Sequence, residues 1–290
     1  MATLDHDRAG AAPWLLSGPA LLLFSALLLV PLILTFMLSF HAFSDTAGVQ
    51  PGWTLTNYFE VVTDPYYGTI FLRTAGLACA VTLASIVFGV PETIILARMK
   101  QPWQSLCLLV VLGPLLISVV VRTLGWQILL GNNGVLNDAL RALHITSEPI
   151  RLVFTMTGTI IALTHVLVPF MVMSVWATLQ KLDPQVEWAG RSLGGSPAKV
   201  FRRVVLPQIL PGVLSGSIIV FALSASAFAT PALIGGRRLK VVATAAYDEF
   251  LGTLNWPLGA SIAVLLLIAN VAIVAGCSKL AERRFRQVFE

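Results

Sequence analysis

Six stretches of this chain run without a single Asp, Glu, Lys or Arg: 14–40, 74–91, 103–121, 152–180, 204–236 and 250–278. A helix crossing a hydrocarbon core of roughly 30 Å needs about 20 predominantly apolar residues. The pattern therefore predicts six spanning helices, over about 14–39, 70–97, 105–130, 153–179, 211–233 and 259–279. Arg73 and Glu92 bracket the second run, and Arg122 interrupts the far end of the third. The last three runs exceed what a span needs, so part of each belongs to a loop. The expected fold class is an all-α membrane protein, with 1–290 forming one transmembrane domain.

The first run invites comparison with a secretory leader. It is longer than the 7–15 residues of a leader's apolar core, and Gly18-Pro19 and Pro31 punctuate it without a small-x-small cleavage site. It is expected to stay as the first span. The loops then alternate in charge. One set carries twelve basic residues: Arg8, Arg98, Lys100, Lys181, Arg191, Lys199, Arg202, Arg203, Lys279, Arg283, Arg284 and Arg286. The other carries five: Arg141, Arg151, Arg237, Arg238 and Lys240. Basic residues concentrate in cytoplasmic loops, which predicts that both termini are cytoplasmic.

Composition agrees and excludes the main alternatives. Hydrophobic residues make up 57% of the 290 and charged residues 11%, against about 25% charged in an ordinary soluble domain. So few ionic groups could not cover a globule of this length, which excludes a soluble enzyme, a nucleic-acid reader and a disordered chain. The net charge of +5 matters less than its distribution. Cys79, Cys107 and Cys277 all lie in apolar runs without metal or redox spacing, so they read as small hydrophobes.

The segment 182–207 between the fourth and fifth spans is too long and too patterned for a turn. Asp183-Pro184 predicts a helix start, with Asp as N-cap and Pro in the first turn. Gly194-Gly195 would end that helix, and Ser196-Pro197 would begin another. The local expectation is two short amphipathic helices at the cytoplasmic face, joined by a glycine elbow. Lys199, Arg202 and Arg203 would meet either lipid headgroups or acidic groups of a partner.

This segment resembles the EAA loop of ATP-binding-cassette importer permeases: Glu-Ala-Ala, three residues, Gly, nine residues, then Ile-x-Leu-Pro. With the motif glycine on Gly194, the closing residues fall on Val204, Leu206 and Pro207. The opening triplet falls on Trp188, Ala189 and Gly190, so Trp takes the motif's Glu position and Glu187 sits one place earlier. One residue is about 100° around a helix, which turns Glu187 away from the usual direction. Further stretches look like the spermidine/putrescine-type permeases. They are Val121 to Trp126 followed by Gly131 to Asn137, Ala229 to Gly236, and Asn255 to Gly259.

The resemblance implies a set of partners. Two cytoplasmic ATPase subunits would bind ATP and Mg, a second and different permease would complete the path, and a periplasmic binding protein would deliver solute. This chain itself would bind no cofactor or metal, would meet no nucleic acid, and would lie in the lipid of a bacterial inner membrane. The ATPase-coupling residues implied are Glu187, Trp188, Ala189, Gly190, Gly194, Phe201, Arg202, Leu206 and Pro207. Phe201 or Trp188 would be the interface anchor, since aromatic side chains dominate interface energetics. A Gly-rich run ending in Gly-Lys-Ser/Thr is missing from the sequence, so nucleotide would be held by the partner.

Candidate path residues follow from polarity within the spans. Ionisable and polar groups there are costly and point to function, which singles out His165 and Asn270. The fifth span is rich in small residues, with Gly212 and Gly216 followed by Ser224, Ser226 and Thr230-Pro231. Two readings stand: packing within the chain, or a helix lining the path at the subunit interface. Tyr247 and Asp248, ahead of the sixth span, could meet a cationic solute. The expected cargo is a polyamine or a related small amine or amino acid, with another small organic solute as the alternative. An intramembrane enzyme would need a nucleophile with a base or clustered ligands inside the spans. A secondary transporter or channel would need an internal repeat or charged relay groups. Neither pattern is evident.

Overall fold

The computed structural model describes residues 12–289; Arg8, counted in the charge asymmetry, lies outside them. The described residues are mostly helical, with one small hairpin among them. In order it forms α1 (Ala12–Leu38), β1 (His41–Ser44), β2 (Gly48–Trp53), α2 (Thr56–Thr63), α3 (Pro65–Arg98), α4 (Trp103–Leu116), α5 (Val119–Leu129) and α6 (Val135–Ala142). It continues through α7 (Met156–Leu179), α8 (Pro184–Ser192), α9 (Pro197–Val200), α10 (Leu206–Ala225), α11 (Val242–Leu251) and α12 (Trp256–Phe289).

Among the described residues, five helices are long and apolar enough to cross a membrane: Ser17–Leu38, Pro65–Arg98, Met156–Leu179, Pro197–Ala225 and Trp256–Lys279. A sixth results if α4 and α5 count as one span, although they meet at a bend of 100°. The apolar pattern predicts a single helix over 105–130 here. The backbone instead turns extended at Ile117 and Ser118. Pro114 has no N–H to continue the ladder, and Val119-Val120-Val121 is a β-branched run with restricted rotamers. The buried Arg122 supports the bend: its guanidinium donates to the Pro114 carbonyl, which also accepts from the Ile117 N–H. This arginine is tied to the bend rather than extended towards a membrane surface.

The fifth predicted span also shifts. Instead of 211–233, the helix runs Pro197–Ala225 and contains a π-helical turn over Phe201–Val205. The Leu206 N–H reaches back to the Phe201 carbonyl. The widened turn removes the clash that the Pro207 ring would otherwise make with the carbonyl four residues earlier. Beyond Ala225 the chain leaves the helix at Ser226 and forms a second π turn over Pro231–Gly235.

The chain divides into two compact units, one comprising the residues through Val61 with Ala246–Val264, the other Val62–Ala245 with the residues from Leu265 on. In the larger unit α3, α7 and α10 pack around Leu77, Val81, Leu163, Leu167, Met171, Val175, Ile209, Val213 and Val220. Small residues allow this close approach. A side chain at Gly212 would collide with Thr178 Oγ1, and one at Gly216 would come within 2.8 Å of Met171 Sδ. Ser174 Oγ adds a hydrogen bond to the Gly212 carbonyl at 2.8 Å. Of the two readings of this stripe, Gly212 and Gly216 serve packing within the chain.

The loop ahead of α7 is held by one buried side chain. Asn137 donates from Nδ2 to the carbonyls of Gly131 (2.9 Å) and Ile150 (3.1 Å) and accepts from the Ile150 N–H (2.8 Å). Replacing it with leucine would strand three backbone groups, each costing about 1–3 kcal/mol when buried. Asn137→Leu is therefore expected to leave the spans intact but increase proteolytic cleavage within 131–151 severalfold, measured by limited proteolysis in detergent.

In the smaller unit, β1 and β2 pair antiparallel with Phe43 opposite Val49 and Ser44 opposite Gly48. Asn57 ties the hairpin to α2, donating to the carbonyls of Ser39 and His41. Ser39 Oγ meets the Tyr58 hydroxyl at 2.6 Å, and Phe40 stacks between Trp53 and Tyr58. Leu258, Ala260 and Ile262 at the start of α12 are buried. That start is capped by Asn255, whose Oδ1 accepts from the Leu258 N–H, which explains the Asn-Trp-Pro-Leu-Gly run.

Candidate coupling segment and solute path

The segment from Asp183 to Pro207 is built by local capping. Asp183 Oδ1 accepts from the Gln185 N–H at 2.9 Å and opens α8. Gly194 takes φ +81 just past the helix end, a conformation that favours glycine. Ser196 Oγ then caps α9 by accepting from Lys199 N–H. The elbow folds tightly, because the Gly195 N–H donates to the Gly190 carbonyl and the buried Val200 packs where a Gly190 side chain would stand. The second expected helix differs from its prediction: α9 is one turn that continues without interruption into the long helix ending at Ala225. No glycine lies between Lys199 and Val205 to stop it.

Among the coupling candidates, Trp188 and Ala189 are exposed on α8, with Trp188 at 74%. Leu193 at the end of the same helix is 89% exposed. Phe201 is half-buried and packs against the core, whereas Arg202 and Pro207 are exposed and Leu206 is half-buried. Glu187 turns to the other side, binding Arg191 at 2.6 Å and Arg98 of α3 at 3.6 Å. Trp188 and Glu187 thus differ as one helical step requires: the tryptophan faces out, the glutamate ties α8 back to α3. The Arg98 partner lies 89 positions from Glu187 and carries no sequence signal. Exposed ion pairs of this kind contribute at most about 1 kcal/mol, so they orient α8 more than they stabilise it.

The path candidates separate into several places. His165 on α7 is exposed and accepts at Nδ1 from Trp126 Nε1 of α5 at 3.2 Å, which fixes the ring proton on Nε2. Trp126 was not singled out from the sequence as a path residue, and nothing in a separation of 39 positions signals the pair. Thr230 is buried, with its hydroxyl 3.2 Å from Thr123 Oγ1 of α5. Ser224 is buried and its hydroxyl returns to the Val220 carbonyl, while the exposed Ser226 bonds Ala222. Asn270 Nδ2 donates to the same Ala222 carbonyl at 3.4 Å. Tyr247 is exposed and Asp248 half-buried on α11; both belong to the smaller unit. Among the described residues no group of three or more His, Cys, Asp or Glu is placed to hold a metal ion.

This helical arrangement defines a class of membrane protein. Comparison with solved structures gives a TM-score of 0.76 over 94% of this chain and 95% of the other, at 16% identity. That structure is a bacterial alginate ABC transporter in complex with an alginate pentasaccharide-bound periplasmic protein. The fold is that of an ABC transporter permease. No family model matches the chain, but curated relatives do. It is 32% identical over 230 residues to the spermidine/putrescine transport system permease protein PotB of Escherichia coli, covering 79% of this chain and 83% of that protein. It is also 32% identical over 236 residues to the inner membrane ABC transporter permease protein YdcU of Escherichia coli, covering 76% and 74%. The chain belongs to the family of ABC transporter permeases of the spermidine/putrescine type. Its relatives are transport proteins, and it is a permease rather than an enzyme.

Proposed function

We propose that this chain is one permease subunit of an ATP-driven importer that brings small aliphatic amines, polyamines foremost, across a bacterial inner membrane. In this reading the bent pair α4–α5 counts as one span, so the whole chain acts as a single six-span transmembrane domain with both termini in the cytoplasm. Two ATPase subunits bind ATP and Mg on that side. A second, different permease completes the path, and a periplasmic binding protein delivers the solute.

The observation that carries the reading is the identity to PotB over most of both chains, and the capped, solvent-facing α8 is consistent with it. Coupling is assigned to 182–207, where α8 presents Trp188 and Leu193 to a cleft of the ATPase. Its return through α9 into the long helix ending at Ala225 transmits movement into the membrane as a rigid body. His165, Ser226, Thr230, Tyr247, Asp248 and Asn270 remain candidates for the path; Ser224 has its hydroxyl turned back on its own helix.

The test is ATP hydrolysis by the reconstituted transporter. Binding protein loaded with putrescine or spermidine is expected to stimulate it severalfold over unloaded binding protein. Equal rates with and without every amine tried would overturn the amine reading.

A further inference from the structure

We propose that a groove between α3, α4, α5 and α7 binds an ammonium end and the adjoining alkyl chain of an aliphatic amine, with Glu92 as the counter-charge. The inference rests on the amine-importer reading above and names a site for it. The groove, about 560 Å³, is lined by Phe88 and Glu92 of α3, Pro114 of α4, Trp126 of α5, and Thr164 and His165 of α7, with aliphatic side chains between them.

Three features of this lining point to an amine. Glu92 is half-buried within an apolar helix, yet among the described residues it carries no ion pair. A carboxylate there is costly unless a cation accompanies it. Thr164 is buried at 6% exposure, and its hydroxyl has no hydrogen-bond partner among the described residues, so it can accept from an N–H. The rings of Phe88 and Trp126 border the groove; aromatic rings attract ammonium groups, and the aliphatic remainder suits a methylene chain.

Two other occupants fit less well. Arg122 would favour an anion, but Nη1 of its guanidinium is held by the Pro114 carbonyl, its buried Nε stays without a partner among the described residues, and the side chain does not line the groove. A lipid acyl chain could reach it, since Phe88 and Val110 are 62% and 70% exposed, but it would leave Glu92 unpaired.

Uptake of radiolabelled putrescine tests the site, in cells lacking other amine importers and producing the complete transporter, normalised to the amount of chain in the membrane. Glu92→Gln is expected to raise KM or lower uptake about tenfold, the effect of losing one charge-assisted contact. Glu92→Asp should retain most of what Glu92→Gln loses, and Thr164→Val should raise KM about threefold with little change in the maximal rate. If the unaltered transporter moves putrescine and Glu92→Gln does so with unchanged KM and rate, this site is overturned while the amine reading stands. An unaltered transporter that moves neither putrescine nor spermidine overturns that reading and this inference with it. Should Glu92→Gln fail to reach the membrane, Thr164→Val and Phe88→Leu decide, and an unchanged KM in both rejects the site.

Discussion

Replacing Trp188 with alanine is expected to abolish most binding-protein-stimulated ATP hydrolysis while leaving the chain inserted and folded. The indole is 74% exposed on α8, so its removal disturbs little within the chain. If it anchors α8 in the ATPase, truncation costs about 2 kcal/mol or more, which is roughly thirtyfold in docking. Phe201→Ala supplies the contrast. That ring packs against the core, so its loss should also loosen the junction with α10 and lower the amount of chain in the membrane. Measuring co-purified ATPase and stimulated hydrolysis in both variants separates the roles. Unchanged coupling in Trp188→Ala would remove α8 as the contact.

The other large effect belongs to the core. In Gly212→Val, the new side chain would collide with Thr178 Oγ1 and stand 2.9 Å from the Ser174 carbonyl oxygen. Neither neighbour can retreat easily, because one is backbone and the other sits on the facing helix. Overpacking of this kind costs about 1–3 kcal/mol even where side chains can shift, and here α7 and α10 must separate. The variant is expected to accumulate poorly, and what remains should unfold at a temperature about 5 °C lower or more. Gly276→Ala, where a Cβ meets nothing within 4 Å, should behave like the unaltered chain. Normal thermal stability of Gly212→Val in detergent would contradict the packing described for α7 and α10.

Local features of this chain were legible in the sequence wherever a few adjacent residues decide the outcome. Asp183, Gly194 and Ser196 stand at their helix ends because caps act over two or three positions. The long apolar helices follow from composition alone. The bend between α4 and α5 is different, since a charge-free run looks the same whether its helix is straight or broken. In the sequence Arg122 only marks the far end of that run; the folded chain shows its guanidinium donating to the Pro114 carbonyl at the bend. The hairpin at His41–Trp53 was missed because its strands are short and its pairing depends on Asn57 further along.

The candidate site divides along the same line. The exposure of Trp188 and the inward turn of Glu187 follow from one helical step, once α8 is known to begin at Pro184. The small residues at 212 and 216 announced a close approach without saying which helix would approach. Pairing of His165 with Trp126, of Glu187 with Arg98, and of Thr230 with Thr123 all required the folded chain, because each joins residues far apart in sequence. Glu92 gained its interest only when the groove brought aromatic rings and an unpartnered threonine beside it.

The central claim is that this permease works within a larger assembly that supplies its ATP hydrolysis. The most direct measurement is purification of the tagged chain in mild detergent, with every companion identified by mass spectrometry. The account predicts an ATPase at about two copies and a second multi-span permease, both retained through size-exclusion chromatography. A chain recovered alone, or only with copies of itself, would contradict it, and would leave 182–207 as a basic segment lying on lipid.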